Sequence, residues 1–348
     1  MIDLRKLKRA KKLWPLLALG ILVLFLFLFD VFIGSVKIPV FETLKILVGK
    51  SSSHSEWEVI IFSFRIPRAL TALLAGMALS VSGLQMQTVF RNPLAGPYVL
   101  GISSGASLGV AILVLGFSSF LFQASSNMIG DWTLVLAASF GSAMILLLIF
   151  AVSVRIKDIM TILILGILFG SIASALVGVM QYFSNESLLK SFVVWSMGSL
   201  GNITIDQIKV LSIVVLIGLL ISVGSVKILN ALLLGEDYAK TLGINIKTAR
   251  AIVFLSTSIL AGSVTAFCGP IGFIGIVVPH LGRMYFRTSN HGFLMPGSIL
   301  IGSGLMLISD MISQLPGSEK ILPINSITAL LGIPIIIWII IKRKRITQ

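Results

Sequence analysis

Apolar runs of bilayer length recur along this chain, and they constrain its fold more than any other feature. A hydrocarbon core of about 30 Å needs roughly 20 apolar residues at about 1.5 Å rise each. Ten segments approach or meet that length, at about 15–33, 66–90, 97–117, 132–154, 161–183, 208–226, 249–267, 271–286, 295–313 and 322–341. Lipid satisfies no backbone donor or acceptor, so such segments must close their own hydrogen bonds as helices. The expected fold is an all-α polytopic membrane protein of about ten transmembrane helices. No linker or low-complexity tract interrupts residues 1–348, which predicts one membrane domain.

Composition agrees. Hydrophobic residues make up 56% of the chain and charged residues only 11%, against about 25% charged in soluble domains. Mean hydropathy is +1.05. The formal charge of +14 does not indicate nucleic acid, because the basic residues flank apolar runs instead of gathering on one folded face. Numbered from an inner amino terminus, the outer segments hold Lys37, Lys45, Lys50, Arg65, Arg68, Lys190, Lys209 and Lys320; the rest of the 27 lysines and arginines are inner. That asymmetry predicts both termini in the cytoplasm. The basic run Arg5–Lys12 and apolar run Leu16–Phe29 resemble a signal peptide, but Asp30, Val31 and Phe32 follow where small residues would mark cleavage. An uncleaved first span is expected.

Between the spans, residues 34–64 are too charged for lipid, and residues 184–206 are too short and mixed to cross it. The inner segment 227–247, KILNALLLGEDYAKTLGINIK, reads as two short helices broken at Gly235 and Gly243. Its leucines are too apolar for a solvated loop, so a partner below the membrane is expected to cover it. An echo between LLAGMALSVSG (73–83) and ILAGSVTAFCG (259–269) fits an inverted repeat, and fits chance similarity of small-residue stretches equally.

Reactive constellations are missing from the sequence. It has no GxxxxGK[ST] phosphate loop, no nucleophile elbow and no metal-spaced histidines, since His54, His280 and His291 are scattered. Cys268 is the lone cysteine, so no intrachain disulfide forms. Asp310 near the end of the ninth segment is the one carboxylate that approaches mid-membrane; the expected state is a helix-end group that is solvated or paired with a loop arginine. The energy source is therefore expected on another polypeptide. Small residues at fourfold spacing, Gly101, Gly105 and Gly109, then Gly166, Gly170, Ser174 and Gly178, let helices pack closely. Their polar neighbours Ser103, Ser104, Ser107, Ser171 and Ser174 either line a weakly binding pathway or only serve packing. Gln85 faces the same path or bonds across helices. The turn RNPLAGP at 91–97 carries two prolines, each removing a backbone donor. Such irregular backbone either lines a cavity or is an ordinary loop.

The strings RIPRALTALLAG, GLQMQTVFRNPLAGPYVLGISSGA, WSMGSLG, LLLGEDYAKTLGI and IGFIGIVVPHLGRM, in this order, resemble permease subunits of iron-siderophore, haem and cobalamin ABC importers. The resemblance runs from about Gly34 to the final span. It implies a homodimer, or a pair of close homologues, in the bacterial cytoplasmic membrane. Two cytoplasmic ATPase subunits would use the ATP, and an extracytoplasmic binding protein would deliver the metal-chelate cargo. No cofactor is expected on this chain. By the same resemblance, Arg65 and Arg68 dock the binding protein, and Asn92, Pro93, Leu94 and Ala95 form the cytoplasmic gate, with Arg155–Thr161 as its second half. Leu234, Gly235, Glu236, Ala239, Leu242 and Gly243 contact the ATPase, and Pro279, His280 and Arg283 match a VPH-R motif. Iron chelates or haem are the favoured cargo. The competing reading is a self-sufficient, ion-coupled secondary transporter of a small solute; a membrane-embedded enzyme would need a reactive constellation.

Overall fold

The computed structural model describes residues 4–34, 36–50, 54–117, 131–153, 156, 158–314 and 321–344. Among them all regular structure is helical. Among the described residues, seven helical stretches are long and apolar enough to cross a membrane: Trp14–Phe32, Ser55–Val89, Trp132–Ser153, Ile159–Tyr182, Ile205–Gly224, Ile246–Cys268 and His291–Ser313. Ile102–Gly116 and Ile324–Ile339 are shorter apolar helices.

Two compact units divide the chain, with boundaries inside two helices. The first comprises Met1–Ser80, Ser199–Ser212 and Gly272–Gln348. It holds α1 (Leu4–Phe32), α2 (Val40–Leu47), α3 (Ser55–Ile60), the first part of α4 (Ile66–Val89) and the last three helices of the chain. A π-helical turn at Ile61–Arg65 joins α3 to α4, so the helix that carries the second apolar segment begins at Ser55, not near 66. Hydropathy stops at Glu56 and Glu58, yet carboxylates in a first turn suit the positive end of a helix.

The second unit comprises Val81–Gly198 and Ile213–Ile271. It contains the end of α4, α5 (Ile102–Ala111), α6 (Asp131–Ser153), α7 (Ile159–Tyr182), α8 (Glu186–Ser196), most of α9 (Ile205–Gly224), α10 (Val226–Leu232), α11 (Glu236–Thr241) and α12 (Ile246–Cys268). The glycine stripe does here what close packing requires. A Cβ at Gly109 would fall 2.1 Å from the Ala137 carbonyl oxygen, and one at Gly141 the same distance from that of Gly105, so α5 and α6 touch main chain to main chain. Ala106, Val110, Val135, Ala138, Val177 and Phe192 close the core around them. Phe254 packs against both Phe90 and Phe150, with ring centroids 5.9 and 6.4 Å away.

In the first unit α13 (Ile274–Phe286), α14 (His291–Ser313) and α15 (Ile324–Lys344) complete the set. There α4 and α14 also meet backbone to backbone: a Cβ at Gly76 would fall 2.3 Å from the Gly302 carbonyl oxygen. Ser303 Oγ donates to the Leu73 carbonyl at 3.2 Å. α1 lies along α14, with Leu26 and Val23 beside Gly304.

Candidate functional site

The proline-broken turn starts where α4 ends. Arg91 takes a left-handed backbone (φ 47°), and Asn92 Oδ1 then accepts from the Leu94 amide at 2.9 Å while its carbonyl accepts from Ala95. This side-chain-mimicked turn needs no helix partner. Ala95 is buried, whereas Leu94 projects, 48% exposed. Pro97 opens a 3-10 turn through Leu100, and Gly101 (φ 69°) starts α5, so the third apolar segment becomes helical only at Ile102. The Tyr98 hydroxyl donates to the Ile271 carbonyl. Of the adjoining segment, Arg155 and Lys157 lie outside the described residues. Asp158 caps α7, accepting from the Thr161 amide at 2.9 Å, its hydroxyl at 2.7 Å and the Met160 amide at 3.3 Å. These bonds, the Thr161 hydroxyl foremost, hold its carboxyl below the ordinary range.

The segment 227–247 is two short helices, α10 and α11, with left-handed glycines at Gly235 (φ 112°) and Gly243 (φ 81°). Leu229, Leu232 and Ala239 are buried. Leu234, Tyr238 and Leu242 stand out at 63, 50 and 58% exposure. Glu236 faces inward: Arg250 Nε donates to its Oε1 at 3.0 Å, and Nη2 to Oε1 and Oε2 at 2.6 and 2.8 Å. Asn245 caps α12 through the Lys247 and Thr248 amides.

At the start of α4 the two arginines are committed within the chain. Arg65, 7% exposed, donates Nη1 to the Val31 and Phe32 carbonyls at 3.0 Å and Nη2 to Val36. Arg68 Nε donates to both oxygens of Asp310, at 2.8 and 2.9 Å, and Nη2 to Ser313 Oγ at 3.1 Å. Gln314 Nε2 donates to Asp310 at 2.8 Å and to Asp30 at 3.3 Å. Asp310 is thus paired and fully enclosed, not solvated. Asp30 and Gln314 escaped the sequence reading, although a carboxylate inside an apolar run was the available signal.

Gln85 sits in a buried set of hydroxyls. Its Oε1 accepts from Thr257 at 3.1 Å and Ser256 at 3.2 Å, and Ser222 lies 2.7 Å from Ser256. This is the cross-helix bonding alternative. Ser171 and Ser174 are exposed on α7, with Ser174 donating to Ser104 at 3.4 Å; Ser103 and Ser107 are half-buried on α5. Pro279 and His280 lie on α13, the proline buried. Among the described residues, no group of three His, Cys, Asp or Glu side chains is placed to hold a metal.

Apolar helices packed on small residues, a proline-broken turn and a helical hairpin with Leu234 and Leu242 outward are the features of a membrane-embedded subunit that presents a surface to a partner. The chain belongs to the FecCD transport family, whose model matches residues 22–342. It is 36% identical over 334 residues to the hemin transport system permease protein of Yersinia pestis, covering 95% of this chain and 97% of that one. Identity to the vitamin B12 import system permease protein of Escherichia coli O9:H4 (strain HS) is 35% over 289 residues, or 83% and 85% of the two chains. A solved structure of a metal-chelate type ABC transporter in an inward-facing conformation superimposes with a TM-score of 0.81 at 29% identity, covering 94% of this chain and 98% of that one. The protein is the membrane permease subunit of an ABC importer.

Proposed function

We propose that this permease imports a metal chelate, either an iron siderophore or haem, or else cobalamin. The observation that carries this reading is the near-full-length match to permeases named for hemin and vitamin B12. Two copies of the chain, or one copy and a close homologue, enclose the path in a bacterial cytoplasmic membrane. Each copy crosses it ten times, with α5, α13 and α15 as the shorter crossings and both termini inside. Two cytoplasmic ATPases supply the work, since the sequence has no phosphate loop of its own, and an extracytoplasmic protein delivers the cargo.

Asn92 to Ala95 form the gate; support comes from the projecting Leu94 on a turn that closes its own hydrogen bonds. Leu234, Tyr238 and Leu242 offer the ATPase an apolar surface, while Gly235 and Gly243 set its turns. Arg65 and Arg68 shape the docking face from within, because their guanidinium groups are occupied by carbonyls and by Asp310. Ser171 and Ser174 are the better-supported lining residues, being exposed. A lining of hydroxyls with little charge suits a bulky solute that must be released.

The test is reconstitution in proteoliposomes with the ATPase and binding protein, using labelled haemin, a ferric siderophore and cyanocobalamin. ATP-dependent uptake of one of them is expected. Uptake by the permease alone under an ion gradient would instead establish the secondary transporter.

A further inference from the structure

Arg250 stands where three parts of the second unit converge. It lies in the first turns of α12, 5% exposed, and its guanidinium meets both oxygens of Glu236 on α11. Its positive charge also reaches Asp158, the cap of α7, and helps hold that carboxyl low after the bonds from Thr161 and Met160. Arg91 of the proline-broken turn lies near Gly235: a Cβ there would come within 3.7 Å of Arg91 Nη1.

We propose that Arg250 is a positioning residue for transport, tying the hairpin to α12, whose Phe254 stacks on Phe90 beside the proline-broken turn, so that ATPase-driven displacement of the hairpin reaches the gate. The inference rests on reading the hairpin as the ATPase-facing element. A two-pronged guanidinium–carboxylate contact fixes orientation as well as distance, which a lysine ammonium cannot do. Glu236 and Arg250 are only 14 residues apart in sequence, with both glycine-hinged turns near them. A push on Leu234 or Leu242 therefore turns α11 about Gly235 and Gly243, and the forked pair converts that turn into movement of α12. Without the fork, the hairpin moves and the gate does not follow.

The experiment uses the complete importer in proteoliposomes and reads cargo molecules taken up per ATP hydrolysed, with whichever of labelled haemin, ferric siderophore or cyanocobalamin the wild type transports. Arg250→Lys and Glu236→Gln are expected to lower that ratio about fivefold to tenfold, a size ordinary for coupled pairs. The exchange Glu236→Arg with Arg250→Glu is expected to restore part of it. A ratio equal to wild type in both single variants overturns the proposal. So does a parallel fall of uptake and hydrolysis, or loss of assembly, in both, since either marks a merely structural pair. Leu234→Cys, tested for disulfide capture by a cysteine on the ATPase, checks the underlying reading separately: no capture in otherwise wild-type importer rejects the hairpin assignment itself, whatever the ratio shows.

Discussion

Two arginine–carboxylate pairs occupy the two units, and they are built differently. Arg68 and Asp310 are 242 residues apart, on α4 and α14, and the carboxylate is fully enclosed. Ser313 and Gln314 satisfy what the pair leaves over. Arg250 and Glu236 are close in sequence, and the Glu236 side chain keeps 24% of its surface open. An enclosed pair costs desolvation and then becomes dangerous to break, because the orphaned charge has no water. In the second pair Arg250 is buried as well, but Glu236 keeps a face toward water, so the pair costs less to form and to break than one whose carboxylate is sealed in. The first is therefore framework, holding α4 on α14. The second is suited to an element that must move.

The largest expected effect comes from orphaning the framework charge. Asp310→Ala should destabilise by about 3–5 kcal/mol, read as a large fall in unfolding temperature in detergent, and Arg68→Met with Asp310→Leu should recover most of it. A small loss from Asp310→Ala alone would erase the distinction between the pairs. Next comes Gly76→Ala, which presses a methyl into the Gly302 carbonyl and should cost about 1–3 kcal/mol. If it exceeds Asp310→Ala in the same measurement, backbone packing outranks the ion pair in joining α4 to α14. Glu236→Gln should cost less than Asp310→Ala, because the amide oxygen still accepts from the buried Arg250, and a loss as large as that of Asp310→Ala would make both pairs framework. The smallest effect is at Asp158. Its lowered carboxyl pKa means that its contribution is present above the ordinary value of about 4 and fades as pH falls through the lower folded value. The difference in unfolding temperature between wild type and Asp158→Asn should accordingly be flat from neutral pH down to that range and shrink only below it.

Hydropathy made the apolar helices legible, and the fourfold glycines of α5 indicated close packing but not its partner, since Gly141 on α6 belongs to no such stripe. The two short helices of the hairpin were readable because their signal is local, with glycine at each break. The partner of Asp310 was not readable: nothing near position 310 indicates an arginine at 68, and only the packing of α4 on α14 brings them together. Arg65 looked like a surface charge at a helix end, but the π turn at Ile61–Arg65 turns it toward the end of α1. The start of the same helix was misjudged by hydropathy, which registers Glu56 and Glu58 as polar loop although they sit in the first turn of α3. Gln85 allowed two readings until Ser256 and Thr257, 171 and 172 residues away, were found beside it.

Where Gly76 meets Gly302, main chain lies on main chain, with the short Ser80 side chain filling the space beside Gly302. Sliding either helix by one turn, about 5.4 Å, would bring Ser298 or Met306 to the place of Gly302 with no volume to receive it. The expected consequence is mechanical: the first half of α4 and α14 ride as one piece through every stage of a transport cycle. Spin labels on their lipid-facing sides should then keep one separation with and without nucleotide, leaving bends such as Asn92–Ala95 to supply the play.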